Sequence, residues 1–260
     1  CIRDSLQTGV VDSKFGFPTI DGLADAAIER VKRSAVLDFH GLHAHIGSQV
    51  FDTSSFAQAM GVLAPLVESS EAEELSIGGG LGVAYVEGEV SDSITEWGRV
   101  VRAAASEAGI SARVTAEPGR SIVASAAVTL YTVGTIKEIP GVRTYVAVDG
   151  GMSDNPRPVL YGSGYEAFLP RSTSAERERV VRIVGKHCES GDVIVREASV
   201  PSDIAVGDVL CTPVTGAYGH SMGSNYNKAP RPPVVFVKDG VDRVVVERER
   251  YSDLLSTDVG

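Results

Sequence analysis

Glu74-Leu75-Ser76-Ile77-Gly78-Gly79-Gly80-Leu81-Gly82 is the stretch that decides the fold. Its apolar residues read as a short strand over Glu74 to Ile77, and three glycines stop it. The same grammar repeats on both sides. Upstream, Phe56 to Val67 has helical spacing, and Ala35 to Ile46 before it reads as a strand that ends on Gly47. Downstream, Ile94 to Ala108 reads as a helix closed by Gly109, and Ala112 to Ala116 as a strand stopped by Pro118-Gly119. Asp21 to Lys32 gives the first helix, with Leu23, Ala26, Ala27 and Val31 at helical spacing and Asp21 as the expected N-cap. Strands alternating with helices and ending in polar or glycine-rich tips are the pattern of parallel βα units.

After Arg120 the character changes. Val128 to Ile136, Thr144 to Val148, Val180 to Val184, Asp192 to Val195, Val209 to Pro213, Val234 to Val237 and Asp242 to Val246 read as strands between turns, with little helix before the last dozen residues. No internal repeat and no low-complexity segment is visible. A closed parallel barrel needs about eight strands with helices outside. Only three precede the β-rich part, so further βα units are expected ahead of Cys1. The expected fold class is α/β: the C-terminal part of a (β/α)8 TIM-like barrel over residues 1–126, followed by a β-sandwich or β-barrel-like domain over residues 127–260.

Composition excludes several functions. The 260 residues are 43% hydrophobic and 22% charged, the balance of a globular protein of one or two domains. A formal charge of -10 and a pI near 5.0 leave no basic stripe, which argues against a nucleic-acid partner. No run approaches the roughly 18 apolar residues of a membrane span, and no export signal is visible. Three scattered cysteines, Cys1, Cys188 and Cys211, fit a reducing cytoplasm better than a disulfide framework.

Polar residues collect at the ends of the predicted strands, where barrel enzymes place their chemistry. His43 and His45 alternate, so both rings point to one face. A metal reading would make them two ligands of a zinc hydrolase, but His40, His187 and His220 add no matching spacing, and no metal is assigned. A histidine lying flat on an aromatic cofactor and a hydrogen-bonded strand end are the other two readings of His45. Glycines 78 to 80 let backbone N–H groups close on an anion such as a phosphate. Val83 stands where G-x-G-x-x-G requires its third glycine, which disfavours a dinucleotide.

Glu117-Pro118-Gly119-Arg120 ends the third strand. A carboxylate there can keep a pyridine nitrogen protonated, and Arg120 offers a planar fork for a carboxylate or phosphate; a salt-bridged turn is the plain alternative. Asp149 to Tyr161 is rich in turn formers and reads as a loop that carries Arg157 and Tyr161 toward a ligand carboxylate. Lys186-His187-Cys188-Glu189-Ser190-Gly191-Asp192 sets a thiol beside a carboxylate in a turn. A thiol of ordinary acidity, pKa about 8.5, stays mostly protonated at neutral pH and can donate a proton. Tyr218 sits on a glycine-flexed loop, Thr215 to Met222, able to bind phosphate or merely to cap the turn.

In this order the motifs resemble the alanine-racemase-like, fold-type III pyridoxal-phosphate decarboxylases. The similarity runs over nearly the whole chain: Ser13-Lys14-Phe15-Gly16, Gly41 to Gln49, the triple glycine, the Glu117 turn, the Asp149 loop, the His187-Cys188-Glu189 turn and Gly216-Ala217-Tyr218. The resemblance implies pyridoxal 5'-phosphate as cofactor, bound by residues 1–126. His45 would stack on its ring with Ser48 beside it, and Gly78, Gly79, Gly80, Gly119, Arg120 and Tyr218 would complete its site. Glu117 would pair with the pyridine nitrogen. Arg120, Arg157 and Tyr161 would grip a distal substrate carboxylate, with Tyr218 close by, and Glu189 would read the distal amine. Cys188 would be the proton donor, with His45 as the second catalytic residue.

The implied reaction is decarboxylation of meso-2,6-diaminopimelate to L-lysine and CO2, the last step of lysine biosynthesis, in a homodimer with shared active sites. Ornithine-, lysine- or arginine-type decarboxylases are the nearest alternative; they typically carry aspartate where Glu189 stands. A non-catalytic regulatory homologue is another. One departure from the family's pattern bears on activity. Its cofactor-bearing lysine lies on an early barrel strand, a setting that none of Lys14, Lys32, Lys137, Lys186, Lys228 and Lys238 has. This chain is therefore expected to be a fragment lacking its N-terminal part and inactive alone.

Overall fold

The computed structural model describes residues 12–260 and divides after Val123 into two compact units. Cys1 lies outside the described residues.

In the first unit, α1 covers Leu23–Lys32, β1 Gly41–His43, α2 Ser54–Ser70, β2 Glu74–Ser76, α3 Ile94–Glu107, β3 Arg113–Thr115 and α4 Gly119–Val123. The strands form a parallel sheet in the order β1-β2-β3, with Gly41 opposite Glu74 and Glu74 opposite Arg113. Parallel pairing needs a crossover between strands, and α2 and α3 are those crossovers. Leu75 and Ile77 alternate with Ser76, so the apolar pair faces one way and the hydroxyl the other. The pair enters a core with Phe56, Met60 and Val67 of α2 and Trp97 and Val101 of α3. Trp97 packs edge-on to Phe56 at 5.4 Å between ring centres. The start of α3 is fixed by Ser93, whose hydroxyl accepts the Glu96 N–H at 3.1 Å, a cap worth about 1 kcal/mol.

Two expectations are corrected here. Of the strand predicted over Ala35 to Ile46, only Gly41–His43 forms a strand, flanked by the His40 carbonyl, which accepts the Glu74 N–H at 3.2 Å, and the Ala44 N–H, which donates to the Ser76 carbonyl at 2.8 Å. Val36 and Leu37 are 88% and 55% exposed, so their apolar character marks no buried strand. Asp21 does not cap α1: the N-cap position is Gly22, in the left-handed region with φ 69°, and no side chain caps it.

In the second unit, β4 covers Val128–Ile139, β5 Arg143–Val148, α5 Arg157–Tyr161, β6 Arg179–Val184, β7 Val193–Val200, β8 Val209–Pro213, β9 Val234–Lys238, β10 Val241–Val246 and α6 Tyr251–Leu254. Five strands form one sheet in the order β7-β6-β5-β4-β8, in which only β5 and β6 run parallel. The long β4 serves two neighbours, pairing with β8 over Val128–Thr132 and with β5 from Val133 onward. Its core is made by alternation, with Val146, Ile183 and Leu210 completely buried. Strands β9 and β10 form a separate hairpin. Asp239 and Gly240 turn it with φ 53° and 77°, the pair of positive values that a two-residue hairpin loop requires.

The sequence reading ended the β7 strand at Val195; the strand continues to Val200 through the exposed Arg196 and Glu197. Charged residues are at home there because β7 is an edge. The run read as a loop from Asp149 to Tyr161 ends in a helical turn instead. Pro156 stands at its N-cap and Pro158 in its first turn, where the missing N–H costs nothing. Among the described residues no helix is long and apolar enough to cross a membrane.

Candidate active site

The tips of β1, β2 and β3 converge on one small surface of the first unit. Glu117, just past β3, donates its backbone N–H to the Gly78 carbonyl at 2.7 Å, and Gly79 donates its own to His45 Nδ1 at 3.3 Å. Ser76, turned away from the apolar core, donates its hydroxyl to Glu117 Oε1 at 3.0 Å, and His43 Nε2 lies 3.5 Å from that same oxygen. The Glu117 side chain is nonetheless 64% exposed, so the carboxylate is oriented from below and open above. Since His45 Nδ1 accepts, its ring carries the proton on Nε2 when neutral.

The glycines are needed for close approach. A Cβ on Gly78 would stand 2.7 Å from the Ala44 carbonyl oxygen, on Gly79 2.4 Å from that of Glu117, and on Gly80 2.3 Å from that of Gly47. Gly78 and Gly80 also hold φ of 65° and 106°. Two of the N–H groups expected to meet a phosphate are engaged within the protein, Gly79 on His45 and Gly78 on the Ser76 hydroxyl at 3.3 Å. No side chain is built over Gly119, where 4 Å of space would surround a Cβ.

Arg120 lies at the start of α4. Its Nη2 donates to Ser48 Oγ and its Nη1 to Tyr85 Oη, each at 2.8 Å, and its guanidinium stands 5.8 Å from the Tyr85 ring centre. Tyr85 is buried, and the sequence reading did not name it as a partner of Arg120. Gln49 clasps the chain after the glycines, accepting the Val83 N–H and donating to its carbonyl, both at 3.0 Å.

In the second unit the Asp149 loop and the Cys188 turn are built on a single buried carboxylate. Asp192 accepts the Met152 N–H at 2.7 Å and the His187 N–H at 2.9 Å, one on each oxygen. His187 Nε2 meets Ser153 Oγ at 2.9 Å, and Lys186 donates its N–H to the Gly150 carbonyl at 2.9 Å. Asp154, on the same loop, accepts the Gly151 N–H at 3.0 Å; burial raises its carboxyl above the ordinary range. These bonds leave Cys188 and Glu189 exposed on the turn.

Arg157 is buried, with Nη1 donating to Tyr165 Oη at 2.8 Å, while Tyr161 one turn later is half exposed. Tyr218 is 46% exposed in a left-handed bend of φ 57°, on a loop whose Thr215 and Gly216 N–H groups bond the carbonyls of Ala127 and Ala124. The predicted residues thus form two clusters. His45, Ser48, Gly78, Gly79, Gly80, Glu117, Gly119 and Arg120 gather in the first unit; Cys188, Glu189, Arg157, Tyr161 and Tyr218 belong to the second. Among the described residues no three histidine, cysteine, aspartate or glutamate side chains are grouped as metal ligands, and His43 and His45 turn to different partners.

Residues 3–124 match the family profile described as pyridoxal-dependent decarboxylase, pyridoxal binding domain. The diaminopimelate decarboxylase of Bacillus subtilis is 43% identical over 99% of this chain, which covers 61% of that protein. The crystal structure of diaminopimelate decarboxylase from M. jannaschii superposes with a TM-score of 0.87 at 33% identity, over 97% of this chain and 59% of that one. That of Helicobacter pylori, complexed with L-lysine, gives 0.84 at 30% identity, over 96% and 62%. The chain therefore spans about three fifths of the length of the relatives it matches. The shared fold makes the first unit part of a (β/α)8-type barrel and the second the β domain that follows it.

Proposed function

The chain belongs to the pyridoxal-dependent decarboxylases, and from that premise we propose that it forms part of an enzyme removing CO2 from meso-2,6-diaminopimelate to give L-lysine. The observation that carries the reading is the meeting of three strand tips. His45, the glycine loop and Glu117 are joined by direct hydrogen bonds on a surface where any Cβ on the loop would collide with backbone. A flat, anionic, nitrogen-containing ring suits that donor set: an exposed imidazole to stack on, a carboxylate held in place by Ser76, and a glycine floor. Pyridoxal phosphate, when bound, supplies the electron sink that stabilises the carbanion left by departing CO2.

The chain's own residues do the rest. Glu117, fixed by Ser76, holds a proton on the facing ring nitrogen. His45 orients the ring. Arg120 presents its guanidinium to a carboxylate; Arg157 and Tyr161 are also assigned to a substrate carboxylate, and burial strengthens the charge-assisted bond that Arg157 makes. Cys188 delivers the proton to the product, and Glu189 accepts the distal ammonium. The sequence beside Cys188 supports the diamino diacid over ornithine, since glutamate stands at position 189. The same reading carries a homodimer in which exposed Cys188 and Glu189 complete the site of a second copy, and a cytoplasmic setting consistent with free Cys188 and Cys211.

None of the described lysines stands on β1, β2, β3 or the loops at their tips, so the cofactor's anchoring lysine is assigned to none of them. Calorimetric titration with pyridoxal 5'-phosphate tests the site directly. Saturable binding by the wild-type protein that weakens in His45→Ala and Glu117→Ala is the expected result. Equal binding by all three proteins overturns the assignment.

A further inference from the structure

Tyr226 lies in a segment that the sequence reads only as a turn, yet its hydroxyl donates to Glu189 Oε1 and its ring meets His187 edge-on, 5.4 Å between centres at 85°. It thus touches residues on both sides of Cys188. The segment that carries it is held at both ends. Glu249 accepts from Asn225 Nδ2, from the Arg231 N–H at 2.8 Å and from Arg231 Nε at 2.7 Å, and Asn225 also bonds the Ala229 carbonyl at 3.1 Å. Between those anchors Asn227 and Lys228 both adopt the left-handed region, φ 54° and 56°. Two such residues in succession are unfavourable and persist only where surrounding bonds enforce them.

We propose that Tyr226 is a positioning residue that fixes the Glu189 carboxylate for the distal amine of the substrate. This rests on the reading of Glu189 given above and adds the device that makes it selective. Glu189 is exposed on a turn, and a free glutamate there would sample several rotamers. The phenol engages Oε1 and leaves Oε2 as the oxygen presented to a ligand. Its hydrogen-bond partner also pushes the Tyr226 phenol above its ordinary pKa, so it stays a donor across the physiological range. A carboxylate already oriented loses less freedom on meeting an ammonium, which strengthens binding without altering the bond-breaking step.

Tyr226→Phe removes the hydroxyl and keeps the ring against His187. In the protein saturated with pyridoxal phosphate this variant should weaken binding of meso-diaminopimelate about tenfold in calorimetric titration, the loss of one charge-assisted bond, with the affinity for pyridoxal phosphate changed less than about twofold. Glu189→Gln should weaken substrate binding at least as much, and the double variant should be no worse than Glu189→Gln alone. A second readout does not depend on affinity: in protein labelled with fluorotyrosine, the 19F resonance lost in Tyr226→Phe should shift in Glu189→Gln. If Glu189→Gln weakens substrate binding while Tyr226→Phe does not, or if the resonance stays in place, Tyr226 has no positioning role. If Glu189→Gln leaves substrate binding unchanged, the assignment of Glu189 fails and the role of Tyr226 falls with it.

Discussion

The backbone N–H of Glu117 is bonded to the carbonyl of Gly78 at 2.7 Å, so the end of β3 and the loop after β2 move as one piece. Gly79 sits inside that junction, and a Cβ there would lie 2.4 Å from the Glu117 carbonyl oxygen. The contact is with backbone, which cannot swing aside. Gly79→Ala should therefore force the two tips apart at a cost of about 1–3 kcal/mol, typical of overpacking. Urea unfolding should show that loss, and binding of pyridoxal phosphate should weaken beyond what the lost stability explains, because Glu117 and His45 shift together.

Glu117→Gln separates chemistry from stability. An amide oxygen still accepts the Ser76 hydroxyl, and the side chain is largely exposed, so the free energy of unfolding should change by no more than about 0.5 kcal/mol. What the amide cannot do is hold a protonated ring nitrogen by charge. Cofactor affinity should fall in titrations while circular dichroism is unaltered. A stability loss equal to that of Gly79→Ala would show instead that Glu117 is a structural residue.

Asp192 makes the opposite case. It is buried, and its two oxygens satisfy the Met152 and His187 N–H groups that join the Asp149 loop to the Cys188 turn. In Asp192→Ala both donors lose their acceptor, each at about 1–3 kcal/mol. We expect a marked drop in the urea midpoint, together with a changed rate of Cys188 alkylation by iodoacetamide. Alkylation unchanged in folded Asp192→Ala would mean that the turn is held by other bonds.

Much of this architecture is legible in the sequence because it follows from alternation and from glycine. Leu75, Ser76 and Ile77 already divide core from site, and the collision geometry at Gly78, Gly79 and Gly80 is the reason those positions carry no side chain. Strand ends were less legible. Ala35 to His40 has strand-like composition without a strand, since pairing is decided by a neighbour and not by the segment itself. Tyr85 and Tyr226 could not be found by pattern, because each acquires its partner, Arg120 or Glu189, from a distant part of the chain. The helix at Arg157 was hidden by its prolines, which mark turns as readily as first turns of helices.

The lysine inventory gives a direct test of activity. Pyridoxal-dependent decarboxylation requires a lysine at the ring, and the chain's six lysines are Lys14, Lys32, Lys137, Lys186, Lys228 and Lys238. Lys32 ends α1, Lys137 lies in β4 and Lys238 ends β9; none belongs to a tip of the parallel sheet. The purified 260-residue chain, given pyridoxal phosphate and meso-diaminopimelate, should release no L-lysine by chromatography and show no absorbance band of a lysine-bound cofactor. Turnover by this chain would require one of these six to reach the cofactor, and its loss on substituting that lysine would identify which.

Asp154 predicts how stability responds to pH. Burial lifts its carboxyl above the usual 3.8, with Lys186, the Gly151 N–H, Ser153 and His187 opposing that rise. The folded chain thus keeps the Asp154 proton at pH values where the unfolded chain has released it. In that window the native state binds more protons, so stability falls as pH rises from the ordinary value through the raised one, and the cost is complete above it. Asp154→Asn keeps an oxygen for the Gly151 N–H and removes the titration. Urea midpoints measured on both proteins across the acidic range should therefore converge at low pH and separate above it, with the variant the more stable. Parallel curves would show that Asp154 ionises in the folded protein as it does in the unfolded one.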